Sequence, residues 1–157
     1  MTEPLRLALA GPMGAGKTTI GRLFAARRGV PFVDLDATIG DIPAIWAAEG
    51  EAGFRARERA ALLVAAQGQG VLALGGGTLV DPANRAALAD WRVVVLMADL
   101  PVLQARVGGD PNRPLARDLE RLVAERAPVW RASGPELRTD GSVDDVLSAL
   151  EALCVSR

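Results

Sequence analysis

Apolar positions along the chain follow two rhythms. Short continuous runs at Arg6–Ala10, Pro31–Asp34, Gly70–Leu74 and Arg92–Met97 have the length and unbroken character of strands buried on both faces, and a weaker run covers Glu136–Thr139. Between them apolar residues recur at helical spacing over Thr18–Arg28, Pro43–Glu49, Gly53–Gln67, Asp81–Ala89, Pro101–Val107, Ala116–Arg131 and Ser142–Cys154. Several of these segments open on a capping residue or a first-turn proline. Strand and helix alternate, which predicts an α/β fold: a five-stranded parallel sheet flanked by helices on both faces. The turn-forming stretch Gly108-Gly109-Asp110-Pro111-Asn112-Arg113-Pro114 lies between two helical segments and predicts a mobile lid at about 108–117. No repeat, low-complexity tract or linker divides the chain, so residues 1–157 read as one domain.

Composition narrows the chemistry. With 157 residues, half of them hydrophobic, the chain has enough apolar surface for a full core. A net charge of −1 and a pI near 5.5 provide no basic field to hold a phosphate backbone, so no nucleic-acid partner is expected. Cys154 is the only cysteine and histidine is absent, which excludes an intrachain disulfide and a multi-cysteine or histidine-ligated metal site. The apolar run Leu5–Ala10 is too short to span a bilayer, and glycine with a polar loop follows it in place of a cleavage site. The expectation is a cytoplasmic monomer with no membrane contact. Arginine supplies every basic side chain but one, and the exception is Lys17. Position 17 therefore calls for a compact ammonium where a planar fork is the rule elsewhere.

Lys17 belongs to Gly11-Pro12-Met13-Gly14-Ala15-Gly16-Lys17-Thr18, which satisfies G-x-x-x-x-G-K-[ST] directly after the first strand and at the start of a helix, the setting a phosphate-binding loop needs. Residues Gly14, Ala15, Gly16, Lys17, Thr18 and Thr19 would cradle the phosphates of ATP at the positive end of that helix. Lys17 would bridge the β and γ phosphates, and the Thr18 hydroxyl would serve Mg²⁺, the cofactor expected with ATP. At the end of the second strand, Asp34 and Asp36 stand at i and i+2, hence on one side of an extended chain, where an open α/β sheet faces its ligand crevice. One suits a carboxylate behind the Mg²⁺ and the other a base or anchor for an attacking hydroxyl, unless Asp36 caps the following turn. Gly75, Gly76 and Gly77 come directly after the third strand with no side chain to pack, which points to a tight turn or to close approach of a ligand. Arg55, Arg106, Arg113 and Arg126 complete the candidates. Spacing alone does not separate them from solvated arginines, except that Arg113 sits in the expected lid, where closure would bring it onto the transferring phosphoryl group.

Taken together these residues resemble shikimate kinase, and the resemblance runs through nearly the whole chain in order. It rests on Gly11–Thr18 with Thr19-Ile20-Gly21, on Asp34-x-Asp36, and on Ile45-Trp46 through Gly50-Glu51-x-x-Phe54-Arg55-x-x-Glu58. It continues through Gly75–Gly77, Arg106, Arg113-Pro114-Leu115 and Arg126-x-Pro128-x-Trp130. The resemblance implies a P-loop NTPase fold of the nucleoside-monophosphate-kinase type, with ATP and shikimate as substrates and the shikimate 3-hydroxyl as phosphoryl acceptor, a step of aromatic amino acid biosynthesis. It implies ATP and Mg²⁺ at Lys17 and Thr18, Asp34 in support of the metal, and Asp36 at the reacting hydroxyl. It also implies the substrate carboxylate at Arg55 and Arg126, with Gly75, Gly76 and Gly77 lining the same pocket. Arg113 would reach the phosphates and Arg106 would flank the adenine. Lys17, Asp36 and Arg113 are then the catalytic set, and residues of about 34–60 form a substrate-binding subdomain.

The chain departs from that pattern in places. The segment between Asp36 and Ile45 is several residues shorter than usual, Arg138–Ser142 is short where relatives contact adenine, and Leu74, Ala116 and Trp130 replace a threonine, a leucine and a tyrosine. Two rival readings start from the same loop. Gluconate kinase shares the Asp-x-Asp strand end but has a histidine shortly after it, where this chain has Ile39 and no histidine anywhere. A non-catalytic nucleotide-binding relative would carry a broken site, whereas every charged position the mechanism needs is present.

Overall fold

The computed structural model describes residues 3–108 and 118–155. The expected lid from residue 109 onward, and Arg113 with it, lie outside the described residues. Among these, five strands form one sheet: β1 (Arg6–Ala10), β2 (Phe32–Asp34), β3 (Gly70–Ala73), β4 (Arg92–Met97) and β5 (Glu136–Arg138). They run parallel throughout in the order β2-β3-β1-β4-β5. The expected α/β architecture is present, with strand ends within about a residue of those read from the apolar runs.

Alternate strand residues feed opposite cores, which is why the strands read as unbroken apolar runs. On one face Leu7 and Leu9 of β1 and Val94 and Leu96 of β4 pack with Phe24 of α1 (Lys17–Arg28), Leu103 of α5 (Leu100–Val107) and Leu150 of α7 (Val143–Val155). On the other, Ala8 and Ala10 join Leu72 and Val95 against Leu62 of α3 (Ile42–Ala65), Leu88 beyond α4 (Pro82–Ala87), and Trp130 of α6 (Leu119–Ser133). The small alanines make room on that second face for Trp91 and Trp130. Two helices start where the sequence signals them: Asp41 and Asp81 accept hydrogen bonds from Ala44 N (3.2 Å) and Ala83 N (2.9 Å), with Pro43 and Pro82 in the first turns.

The strand order sets the site. Because β3 lies between β1 and β2, pairing Leu9 with Ala73 and Ala73 with Asp34, three chain segments leave neighbouring carboxyl ends side by side. They are the loop Gly11–Thr18, the glycines Gly75–Gly77, and Asp34 with the residues just after it.

Two local expectations change. Strand β2 stops at Asp34, and a short helix α2 (Leu35–Ile39) begins at once, so Asp36 stands in a helical first turn and the extended-chain geometry expected for the aspartate pair does not hold. The cause is Asp34 itself: its Oδ1 accepts from Ala37 N at 3.4 Å while Thr38 Oγ1 donates to its carbonyl at 3.1 Å, giving the backbone a helical exit from the strand. Capping falls to Asp34, not Asp36. The two helices expected at 43–49 and 53–67 form the single run α3, broken at Gly50 (φ 69°, ψ −171°), a conformation that side chains other than glycine's do not tolerate. Arg57 spans the break with a two-pronged ion pair to Glu49 (2.7 and 2.9 Å), fixing the angle between the arms.

Candidate active site

The loop after β1 turns through positive φ at Gly11, Gly14 and Gly16 before α1 starts. No side chain caps α1, so its first N–H groups and its positive end are directed to whatever anion enters the loop. Lys17 Nζ donates to Gly11 O (2.6 Å) and Pro12 O (3.0 Å), which holds the ammonium across the mouth of the loop. One residue on, Thr18 Oγ1 donates to Asp34 Oδ2 at 2.7 Å. A hydroxyl and a carboxylate thus meet beside the phosphate cradle, and these hard oxygen donors fit Mg²⁺. Among the described residues no group of three or more His, Cys, Asp or Glu side chains gathers to hold a metal ion by itself.

Across the cleft, α3 and α6 deliver Arg55 and Arg126 to the same spot above Gly77. A Cβ added there would lie 2.7 and 2.9 Å from the two Nη atoms of Arg55 and 3.0 Å from Arg126 Nη2. The backbone of Gly77 is ordinary (φ −107°), so close approach, not special dihedrals, explains the bare position. Arg55 is held from several sides: Nη1 donates to Glu58 Oε1 at 2.9 Å, and its Cζ lies 5.1 Å from the Phe54 ring centroid. Phe54 in turn packs on Trp46 with centroids 5.9 Å apart. Burial first, and then the like charge of Arg55, lower the pKa of Arg126 from the usual guanidinium value, with nearby glutamates opposing. Two adjoining guanidinium forks form a ready site for a small carboxylate.

Behind Arg55, Glu58 is 1 % exposed and accepts from Thr78 Oγ1 at 2.9 Å through its second oxygen. A Cβ on Gly75 would meet Glu58 Oε2, Thr78 Oγ1 and Asp36 Oδ1, each at 3.0 Å, so Asp36 and Glu58 approach one another over this glycine. On the far side of the loop, Arg106 donates to Gly14 O (3.0 Å) and to Thr139 O (2.7 Å), and Thr139 Oγ1 donates to Ala15 O (2.7 Å). Arg106 thereby ties α5 and the end of β5 to the phosphate loop.

Most of these residues line one cleft of about 1150 Å³, with Thr78 and Thr139 behind its wall. Gly14, Ala15, Gly16, Lys17, Thr18, Thr19, Asp34, Asp36, Arg55, Gly75, Gly76, Gly77, Arg106 and Arg126 all border it. Arg113 lies outside the described residues. Reading the sequence missed Thr78 and Thr139, and it placed Glu58 in the matching run without giving it a role. Glu58 stands three residues after Arg55, a pairing distance on a helix, and Thr139 follows a strand's carboxyl end, so both carried a weak signal. Thr78 carried none beyond its place after the glycines.

The crowding at Gly77 gives a testable result. Gly77→Ala pushes the flexible tips of Arg55 and Arg126 aside without straining backbone, so stability falls by less than about 1 kcal/mol while affinity for the carboxylate substrate drops roughly tenfold. Thermal melts and steady-state kinetics on the purified variant separate the two effects.

The strand order and the phosphate loop define the class, a P-loop kinase, and the cationic pocket beside that loop suits an acidic small molecule. The family described as shikimate kinase matches residues 13–144 of the chain. A shikimate kinase of Thioalkalivibrio sulfidiphilus is 41% identical over 166 residues, covering 98% of this chain and 87% of that relative. The solved shikimate kinase of Acinetobacter baumannii, in complex with shikimate, superposes with a TM-score of 0.90 at 35% identity, covering 95% of this chain and 92% of that one. This chain belongs to the shikimate kinase family. A gluconokinase from Sinorhizobium meliloti superposes with a TM-score of 0.68 at 17% identity over 96% of this chain and 94% of that one, a likeness of fold alone.

Proposed function

We propose that this protein transfers the γ-phosphoryl group of ATP to the 3-hydroxyl of shikimate. The observation that carries the reading is the pairing of Arg55 and Arg126 over Gly77, in the same cleft as the Lys17 loop and the Thr18–Asp34 contact. A ring acid held by its carboxylate at the two guanidinium groups has its hydroxyls directed across the cleft toward Asp36 and the loop. That positioning supplies much of what phosphoryl transfer requires.

Asp36 orients the attacking hydroxyl and accepts its proton as the new O–P bond forms; the bond between the γ-phosphorus and the β–γ bridging oxygen breaks, and ADP leaves. Lys17 offsets the charge shared by the β and γ phosphates. Arg106 flanks the base, and Arg113 is assigned to the phosphates. Thr18 and Asp34 would hold Mg²⁺, which when bound neutralises phosphate charge and orients the γ group. Residues of about 34–60 act as the substrate-binding unit.

Asp34→Asn tests the metal assignment, since asparagine caps a helix as well as aspartate. The Mg²⁺ concentration for half-maximal activity rises roughly tenfold or more, while shikimate affinity is unchanged. The reading as a whole is tested by supplying the protein and Mg-ATP with shikimate, quinate or gluconate and measuring ADP release. Shikimate drives release and gluconate does not. Release with gluconate alone would transfer the chain to the rival kinase class, and no release with any acid would leave a nucleotide-binding module.

A further inference from the structure

We propose that Thr78 is a positioning residue for the acidic substrate, acting through Glu58 on Arg55. This rests on the reading that Arg55 grips the substrate carboxylate.

Glu58 is 1 % exposed, and a carboxylate withdrawn from water needs a donor at each oxygen. Oε1 accepts from Arg55 Nη1 and Oε2 from Thr78 Oγ1, both at 2.9 Å. Thr78 itself is fixed. It is 0 % exposed, its N–H donates to Gly75 O (3.3 Å), and its carbonyl accepts from the Asn84 side chain (2.9 Å), itself buried. A chain of hydrogen bonds therefore runs from Asn84 at α4 through Thr78 and Glu58 to the guanidinium over Gly77.

Packing alone does not lock Arg55, whose side chain is 28 % exposed. A second carboxylate pulls on it from the solvent side: Glu51 Oε1 lies 3.8 Å from Arg55 Nε, on a side chain 66 % exposed. With Nη1 held by Glu58, the fork lies over Gly77 and faces the cleft. Released by Glu58 and held by Glu51 alone, it would turn toward solvent. The Thr78 hydroxyl biases that choice, because without it Glu58 Oε2 is left facing Asp36 Oδ1 across Gly75, with like charges opposed. Glu58 then turns away from that repulsion, and its hold on Arg55 weakens.

The experiment compares Thr78→Val, which keeps the shape and removes the hydroxyl, with Thr78→Ser, which keeps the hydroxyl; Thr78→Ala is the alternative should valine prevent folding. Steady-state kinetics of the full chain are measured with shikimate and ATP varied in turn. Thr78→Val raises the KM for shikimate roughly tenfold, leaving the KM for ATP and kcat within about twofold, and Thr78→Ser restores the wild-type KM. A shikimate KM unchanged in the valine and alanine variants, or a serine variant as impaired as the valine one, would overturn the proposal. A threonine that merely supported the fold would depress all kinetic constants together, which also counts against it. Wild-type protein inactive on shikimate would instead sink the functional reading, so the two failures are distinct.

Discussion

Lys17→Ala folds normally and turns over at least roughly a hundredfold to a thousandfold more slowly than wild type. The lysine's ammonium sits at the mouth of the phosphate loop, bonded to Gly11 O and Pro12 O, and its stem leaves the first residue of α1. Its loss removes the cation closest to where charge builds as the β–γ bond breaks, while the carboxylate site at Arg55 and Arg126 is untouched. The KM for shikimate accordingly changes little. Lys17→Arg fails to restore turnover, because the planar fork does not fit where a compact point charge reaches between phosphates. In a chain that uses arginine at every other basic position, that failure would account for the solitary lysine. A coupled ADP assay decides it, and turnover within tenfold of wild type would contradict the role.

Arg126→Ala has the opposite signature. Affinity for shikimate falls on the order of a hundredfold or more, since truncating one partner of a desolvated charge pair typically loses about 2–5 kcal/mol. ATP affinity falls much less, because the phosphates are assigned to Lys17 and the loop, while Arg126 reaches from α6 over Gly76 and Gly77. Stability changes little: burial and the facing Arg55 oppose the charge on Arg126, while the nearby glutamates favour it. Arg126→Lys restores only part of the affinity, having no fork to match the carboxylate. Calorimetric titration with shikimate and a thermal melt test both halves. A destabilised protein with normal shikimate affinity would mean that the arginine serves the fold.

Much of the fold was legible because buried parallel strands and amphipathic helices impose different apolar periods, and β1 and β4 were read to the residue. The exit from β2 was not. Whether Asp34 extends or caps depends on the hydrogen bonds it accepts from Ala37 N and Thr38 Oγ1, and side chains of this kind serve strand ends and helix starts alike. The phosphate loop was legible because its chemistry is local in sequence. The acid pocket was legible only through resemblance, since Arg55 and Arg126 lie far apart in the chain and arginines are everywhere in it. Glu58 was hidden for a related reason: on a helix rich in charge it reads as a solvated residue, and only the packing of α3 against the turn at Thr78 reveals its burial. The glycines posed an even choice between a turn and a close approach. The structure has the turn, with Thr78 N donating to Gly75 O and Val80 N to Gly77 O, and it also has the guanidinium groups of Arg55 and Arg126 lying close over Gly77.

A crystal structure of the protein with ADP and shikimate bound tests the central claim most directly. The shikimate carboxylate is expected within roughly 3 Å of both Arg55 and Arg126, with a ring hydroxyl between Asp36 and the phosphate loop. Shikimate bound elsewhere, or both guanidinium groups turned away from its carboxylate, would contradict it.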